Sequence, residues 1–283
     1  MRYWVNDGLV DADHASVSVL DHGFTVADGV FETLAVWHGR PFALTRHLRR
    51  LGTSATGLGL PLPPDDVVRE AVRAVCEANA HELGATARLR ITYTSGVAPL
   101  GSERGAHGCT LVVAAATTGA WPATATVAVV PWPRNERSPL VGLKTTSYAD
   151  NVVALAAAKS LGASEALMAN TRGELCEGTG TNVFVVVGGA LITPPLSSGC
   201  LAGITRELVV EWCARELPVE QSVLPLEVLH HADEVFITSS TRNVQPVSRV
   251  VGEGYDRTLG DPGTLTVRAA AIFESMAGDL VDP

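Results

Sequence analysis

The chain contains two lysines, Lys144 and Lys159, against nineteen arginines. Arginine keeps its charge, whereas a lysine in an apolar setting can lose its proton, attack a carbonyl and form a Schiff base. An amine nucleophile therefore has two candidate positions, and their surroundings differ. Lys159 falls near the end of a helical stretch, 147–161, where a positive charge suits the helix dipole and reads as solvated surface. Lys144 falls in Val141-Gly-Leu-Lys-Thr-Thr-Ser147, after an apolar approach and just ahead of that helix. Codon bias in an alanine- and glycine-rich chain explains the number of lysines but not the placement of Lys144.

Three further features fit the same task as a reactive Lys144, which is to hold a phosphorylated pyridine aldehyde. Glu177 lies in Leu175-Cys-Glu-Gly-Thr-Gly-Thr-Asn182, where small residues let a flat ring approach the backbone. A carboxylate beside a pyridine nitrogen favours the protonated, electron-withdrawing ring. Alone, Glu177 reads as a turn glutamate. Leu201-Ala-Gly-Ile-Thr-Arg206 opens a helix whose unpaired N–H groups can bind an anion, and Ser239-Ser-Thr241 supplies hydroxyls after a strand. Alone, Thr205 reads as a helix cap. Arg50, in Arg46-His-Leu-Arg-Arg-Leu-Gly-Thr-Ser-Ala55, can clamp a phosphate through two parallel hydrogen bonds, although a helical arginine is usually a surface residue. None of these is specific by itself; their joint occurrence is.

Other chemistries lack their residues. Gly178-Thr-Gly-Thr-Asn-Val183 begins like a dinucleotide fingerprint but has no third glycine and sits between strands. No phosphate loop ending in Gly-Lys-Ser/Thr occurs, and no nucleophile elbow. His230 and His231 are adjacent, so on a helix they point apart, and no metal site is expected. The five cysteines (76, 109, 176, 200 and 213) form no C-x-x-C pair, which points away from a disulfide framework and towards a reducing, cytoplasmic compartment. A net charge of -9 gives no footprint for nucleic acid or an anionic membrane, and the apolar runs are too short to span a bilayer.

Hydrophobic spacing predicts the elements that carry these residues. Strands are expected at 2–5, 8–10, 31–37, 87–94, 109–116, 126–130, 165–169, 182–187, 190–193 and 234–238. Helices are expected at 44–57, from 63, at 147–161, at 205–217 and from 262. The polar loop 95–105 is long enough to be functional. The best boundary is Thr117-Thr-Gly-Ala-Trp-Pro122, giving a small α+β domain over 1–118 and a larger α+β domain over 119–283.

With these residues in place, the chain resembles the fold-type IV pyridoxal-phosphate enzymes. That group holds branched-chain and D-amino-acid aminotransferases, R-selective amine transaminases and 4-amino-4-deoxychorismate lyase. The resemblance runs from Trp4-Val-Asn-Asp-Gly8 to about Val250. It includes Asp21-His-Gly-Phe-Thr-Val-Ala-Asp-Gly-Val-Phe-Glu-Thr33, the segment 47–55, Lys144, Glu177-Gly-Thr-Gly-Thr-Asn-Val-Phe184 and Ala232-Asp-Glu-Val-Phe-Ile-Thr-Ser-Ser-Thr241. It implies a small and a large domain with pyridoxal 5'-phosphate between them, in a homodimer.

By this resemblance Lys144 is the Schiff-base lysine and Glu177 the partner of the pyridine nitrogen. Arg50, the amides of Ile204 and Thr205, and Ser240 or Thr241 hold the phosphate. Tyr148 is the candidate for the ring hydroxyl, at a spacing from the lysine one residue shorter than in branched-chain enzymes. Phe31 stands where D-amino-acid aminotransferases have a tyrosine, and Arg104 and Arg242 are candidates for a substrate carboxylate. The implied activity is amino-group transfer between an amino acid or amine and a 2-oxo acid. A lyase releasing pyruvate and p-aminobenzoate is the alternative, and a non-catalytic ligand-binding relative is a third reading. The core residues serve both reactions, so they do not choose between them.

Overall fold

Along Thr86–Thr94, Ala87, Leu89, Ile91 and Tyr93 are buried while Thr86, Arg88 and Arg90 are exposed, the period of a strand with one dry face. This strand is central to the first of two sheets in the computed structural model, which describes residues 1–283. The chain divides into two units, each with its own core. The first comprises Met1–Ala120, Leu143–Ser147 and Val281–Pro283; the second comprises Trp121–Gly142 and Tyr148–Leu280.

In the first unit, strands β1 (Arg2–Val5) and β2 (Gly8–Asp11) form a hairpin. A single helical turn α1 (His22–Thr25) precedes β3 (Gly29–Trp37), which turns back into the short β4 (Arg40–Pro41). Helices α2 (Leu44–Gly57), α3 (Asp65–Ala78) and α4 (Ala80–Leu83) lead to β5 (Thr86–Thr94) and β6 (Thr110–Thr117). The sheet is antiparallel throughout, in the order β2-β1-β6-β5-β3-β4. Leu48, Leu51 and Ala55 recur at helical spacing on α2 and join Leu34, Leu89 and Ile91 in one core.

In the second unit, β7 (Ala125–Val129) is followed by α5 (Ala149–Ser160), β8 (Glu165–Ala169), β9 (Leu175–Gly178), β10 (Asn182–Val187) and β11 (Ala190–Thr193). Helix α6 (Ile204–Cys213), β12 (Val219–Gln221), β13 (Glu234–Ser239), β14 (Asn243–Gly252), β15 (Tyr255–Thr258) and α7 (Thr264–Asp279) complete it. The sheet runs β12-β11-β10-β13-β14-β7-β8-β9, with β15 on β14. The pairs β11–β12, β14–β7 and β7–β8 are parallel and the others antiparallel. Phe184 and Phe236 are cross-strand partners with rings stacked at 4.7 Å. Helices α6 and α7 meet through Trp212 and Phe273 at 5.5 Å. The architecture is α+β, as expected, with one sheet in each unit.

Beyond the short elements α1, β4, α4 and β12, which were not expected, the structure departs from the sequence expectations at several points. Glu177 is not in a turn; it lies on β9, opposite Met168 of β8. The β14–β15 hairpin was not anticipated, because Pro246 and several polar residues interrupt its apolar pattern. Helix α6 ends at Cys213 and not at 217. Leu143–Ser147 joins the first unit and not the larger one: Thr145 bridges Val30, the Phe31 N–H donates to the Lys144 carbonyl at 2.9 Å, and the Thr146 N–H donates to the Gly29 carbonyl at 2.8 Å. No helix is long and apolar enough to cross a membrane.

Candidate active site

Helix α2 and strand β3 prepare the lysine. The Lys144 N–H donates to Ser54 Oγ at 3.0 Å, and its carbonyl accepts from Phe31. Both backbone hydrogen-bonding groups of Lys144 are thus fixed, one by the helix and one by the strand. Two glycines make room for this segment. A Cβ on Gly57 would stand 2.5 Å from Leu143 Cδ2, and one on Gly29 would stand 3.2 Å from Thr146 Oγ1. The Lys144 amine lies over the Phe31 ring, 4.5 Å from its centroid, and the Arg90 guanidinium carbon lies 3.8 Å from the same centroid. An aromatic face attracts cations through its quadrupole, so one ring holds both groups.

On the core side of β3, Glu32 is fully buried. Its Oε1 accepts from Arg50 Nε at 2.8 Å, and its Oε2 accepts from Arg50 Nη2 at 2.7 Å and from His47 Nδ1 at 2.7 Å. His47, Arg50 and Ser54 lie three and four residues apart, which sets them on one side of α2. Burial opposes ionisation of Glu32, but the Arg50 charge and hydrogen bonds, with that of His47, hold its carboxyl down to about 2. Burial pushes His47 below its ordinary value, against the pull of Glu32. The neutral imidazole donates from Nδ1 to the carboxylate.

In the second unit, Glu177 is buried on β9. Its Oε1 is 3.0 Å from Arg134 Nε, and its Oε2 accepts the Leu201 N–H at 2.9 Å. Arg134 Nη1 donates to Asn151 Oδ1 at 3.1 Å, and Asn151 Nδ2 donates to the Thr179 carbonyl at 2.5 Å. Glu165 Oε1 accepts from the Thr179 N–H at 3.0 Å and from the Thr179 hydroxyl. The stretch after Glu177 is therefore held from both sides. Gly203 caps α6 without a side-chain hydrogen bond, so the amides of Ile204 and Thr205 sit in a first turn with no side-chain cap. A Cβ at Gly203 would fall 1.9 Å from Asn182 Oδ1. Ser240 and Thr241 follow directly on β13, and Tyr148 stands at the N-terminus of α5.

Lys144, Phe31 and Arg50 thus belong to the first unit, and Glu177, Tyr148, Ile204, Thr205, Ser240 and Thr241 to the second. The two arginines proposed for a substrate carboxylate are engaged elsewhere. Arg104 donates from Nε and Nη2 to both Asp28 oxygens at 2.7 Å, and to the carbonyls of Gly59 and Leu58 at 2.7 Å. Arg242 donates to Gln245 at 2.5 Å and to the Ser164 carbonyl at 2.9 Å, with its guanidinium 3.6 Å over Trp121. These bonds tie down the loop after β5 and the turn after β13. Sequence reasoning passed over Glu32, His47, Ser54, Arg90, Arg134 and Asn151. Glu32 carried a readable signal, since strand alternation sets it on the same face as Val30 and Leu34, and a carboxylate there needs a cation.

The sequence profile of the family amino-transferase class IV matches residues 29–250. A putative branched-chain-amino-acid aminotransferase of Methanocaldococcus jannaschii is 34% identical over 89% of this chain and 88% of its own length. A D-alanine aminotransferase of Staphylococcus haemolyticus is 29% identical over 89% of this chain and 90% of its own. Among solved structures, the branched-chain aminotransferase of Thermoproteus uzoniensis with norvaline superposes with a TM-score of 0.85, at 29% identity, covering 98% of this chain and 94% of that one. The chain belongs to the class IV aminotransferase family. Within that class it is a pyridoxal-phosphate-dependent enzyme that transfers amino groups.

Proposed function

We propose that Lys144 is the residue that binds pyridoxal phosphate covalently and moves the proton, and that the substrates are an amino acid and a 2-oxo acid whose carboxylate is held by Arg90. The observation that carries this reading is the placement of the Lys144 amine. Its backbone is fixed at N–H and carbonyl, and its side chain lies 4.5 Å from the centre of the Phe31 ring. Lys159 is exposed near the end of α5. When bound, the cofactor supplies an electrophilic aldehyde and a ring that withdraws electrons.

We assign the remaining duties to the protein's own groups. Once the substrate amine has taken its place on the aldehyde, Lys144 Nζ would take the proton from the carbon that bears the amine and carry it to the carbon that had held the lysine. Glu177 holds a proton on the ring nitrogen. The Ile204 and Thr205 amides at the N-terminus of α6, Arg50 and the hydroxyls of Ser240 and Thr241 bind the phosphate. Tyr148 orients the ring hydroxyl. Arg90 sits over the same Phe31 ring as Lys144, which suits a fixed cation for the carboxylate next to the reacting carbon. Arg104 and Arg242, the other candidates for that duty, already have the internal partners described above.

The active form is a homodimer. Phe24, Leu100 and Val19 are 76%, 79% and 73% exposed in the first unit, and Val152 and Val153 are exposed on α5 in the second. A second copy covering them removes these apolar surfaces from water. The five cysteines are unpaired, in keeping with a cytoplasmic enzyme.

Borohydride reduction of the holoenzyme followed by peptide mapping tests the central assignment. The label is expected at Lys144 and absent from Lys144→Arg; a label at Lys159 overturns the reading, and a protein that takes up no cofactor is a non-catalytic relative. A panel of D- and L-amino acids with pyruvate or 2-oxoglutarate defines the transfer. Release of p-aminobenzoate from aminodeoxychorismate, with no amino acceptor, assigns the lyase reaction instead. Arg90→Met is expected to raise KM for the oxo acid at least tenfold, whereas Arg90→Lys loses less. Sedimentation tests the dimer, and a monomeric active enzyme refutes it.

A further inference from the structure

We propose that Arg134 is a positioning residue that fixes the charge and orientation of Glu177, so that the proton shared by Glu177 and the cofactor's ring nitrogen rests on the nitrogen. This rests on Glu177 being the partner of that nitrogen. Glu177 is 8% exposed, and a carboxylate taken that far out of water needs a counter-charge close by. Arg134 Nε supplies it at 3.0 Å from Oε1.

The arginine is itself held in place. Its backbone N–H donates to the Ala169 carbonyl at 2.7 Å, at the end of β8, the strand beside β9. Its Nη1 donates to Asn151, and Asn151 donates to the carbonyl of Thr179, two residues beyond Glu177. Glu177, Arg134, Asn151 and Thr179 thus close a ring around the segment that carries the carboxylate. A planar fork can reach Glu177 and Asn151 together, which a single ammonium cannot do with the same geometry.

The approach of Arg134 to Glu177 has a particular form. Nε is buried and within ion-pair distance, yet it makes no well-directed hydrogen bond. The contact therefore supplies charge at close range without a directed hydrogen bond. A proton between a carboxylate and a pyridine nitrogen goes to whichever holds it more strongly. A guanidinium next to the carboxylate weakens that group's hold. The proton then stays on the ring, where it makes the ring a better electron acceptor. Without Arg134, the Leu201 N–H at Oε2 is left as the remaining support of the charged carboxylate against burial.

The test uses holoenzyme loaded with pyridoxal phosphate carrying nitrogen-15 in the ring. The nitrogen chemical shift is followed from acid to alkaline pH in the parent, Arg134→Lys, Arg134→Met, Asn151→Ala and Glu177→Gln. The parent and Arg134→Lys are expected to keep the protonated-ring signal to higher pH than Arg134→Met, whose transition falls by about one pH unit or more. Asn151→Ala leaves the charge and releases only its orientation, so it moves the transition in the same direction by less. This variant also supplies the readout if Arg134→Met fails to fold or to load. If Glu177→Gln leaves the shift of the parent unaltered, the assignment of Glu177 itself is wrong. If Glu177→Gln changes the shift while Arg134→Met and Asn151→Ala both match the parent, the role given to Arg134 is wrong and that of Glu177 stands.

Discussion

Replacing Glu32 by glutamine probes the buried triad most directly. The side chain keeps its shape and loses its charge. Arg50, whose side chain is 10% exposed, then has no carboxylate opposite it, and the new amide aims a donor where Arg50 and His47 need an acceptor. Removing one partner of a buried ion pair costs about 3–5 kcal/mol. With a urea dependence of about 1–3 kcal/mol per molar, the unfolding midpoint of the cofactor-free protein is expected to fall by roughly 1–5 M.

The pH dependence gives a second arm. The Glu32 carboxyl is depressed from 4.5 to about 2 in the folded chain. A depressed carboxyl binds fewer protons folded than unfolded, so its stabilising contribution is complete above about 4.5 and is lost as pH falls towards 2. His47 is also depressed, from 6.5. The unfolded chain takes up that proton first, so stability starts to fall below about 6.5 with the same sign. Glu32→Gln should abolish the loss between 4.5 and 2 that belongs to Glu32. The double variant Glu32→Leu with Arg50→Met removes both charges and should recover most of the stability while binding pyridoxal phosphate poorly. An unchanged midpoint in Glu32→Gln, or an acid limb identical to the parent's, refutes the reasoning.

Other substitutions address the remaining supports. Ser54→Ala leaves the part-buried Lys144 N–H without its acceptor; the cost is at most the roughly 1–3 kcal/mol of a fully buried unpaired donor, visible as a lower thermal midpoint and slower cofactor loading than in Ser54→Thr. Gly203→Ala brings a methyl to 1.9 Å from Asn182 Oδ1 and should weaken binding of pyridoxal phosphate and of inorganic phosphate alike, measured by calorimetry. Arg104→Ala unties the loop after β5 from Asp28 and from the Leu58 and Gly59 carbonyls, so proteolytic cleavage within 95–109 should accelerate while the two cores keep their unfolding midpoint.

Most regular elements were legible because their spacing is set by local geometry. The helix Leu44–Gly57 and the strands Glu165–Ala169, Asn182–Val187 and Ala190–Thr193 follow directly from periods of 3.6 and 2. Residues named for their chemical type, such as Lys144 and Glu177, were legible because few residue types do that chemistry. What could not be read depends on contacts remote in sequence. Ser54 is ninety residues from Lys144, and Arg104 is seventy-six from Asp28. An arginine on a loop looks available for a ligand until its internal partners are seen. Arg90 carries no distinguishing local signal in its strand, and the shared Phe31 ring is a contact between strands.

The chain passes between its two units at Ala120, Gly142, Ser147 and Leu280. Five residues from the middle of the polypeptide complete a sheet otherwise built before residue 121. During synthesis, an emerging N-terminal portion can collapse early but has an unmatched edge at Val30 until Thr145 has left the ribosome. A gene divided at residue 120 would likewise part the amine from the strand that aims it. Exchange of modules between related enzymes would have to carry this short insert with the first unit, because a hybrid joined only at residue 120 pairs one parent's lysine with the other parent's seat.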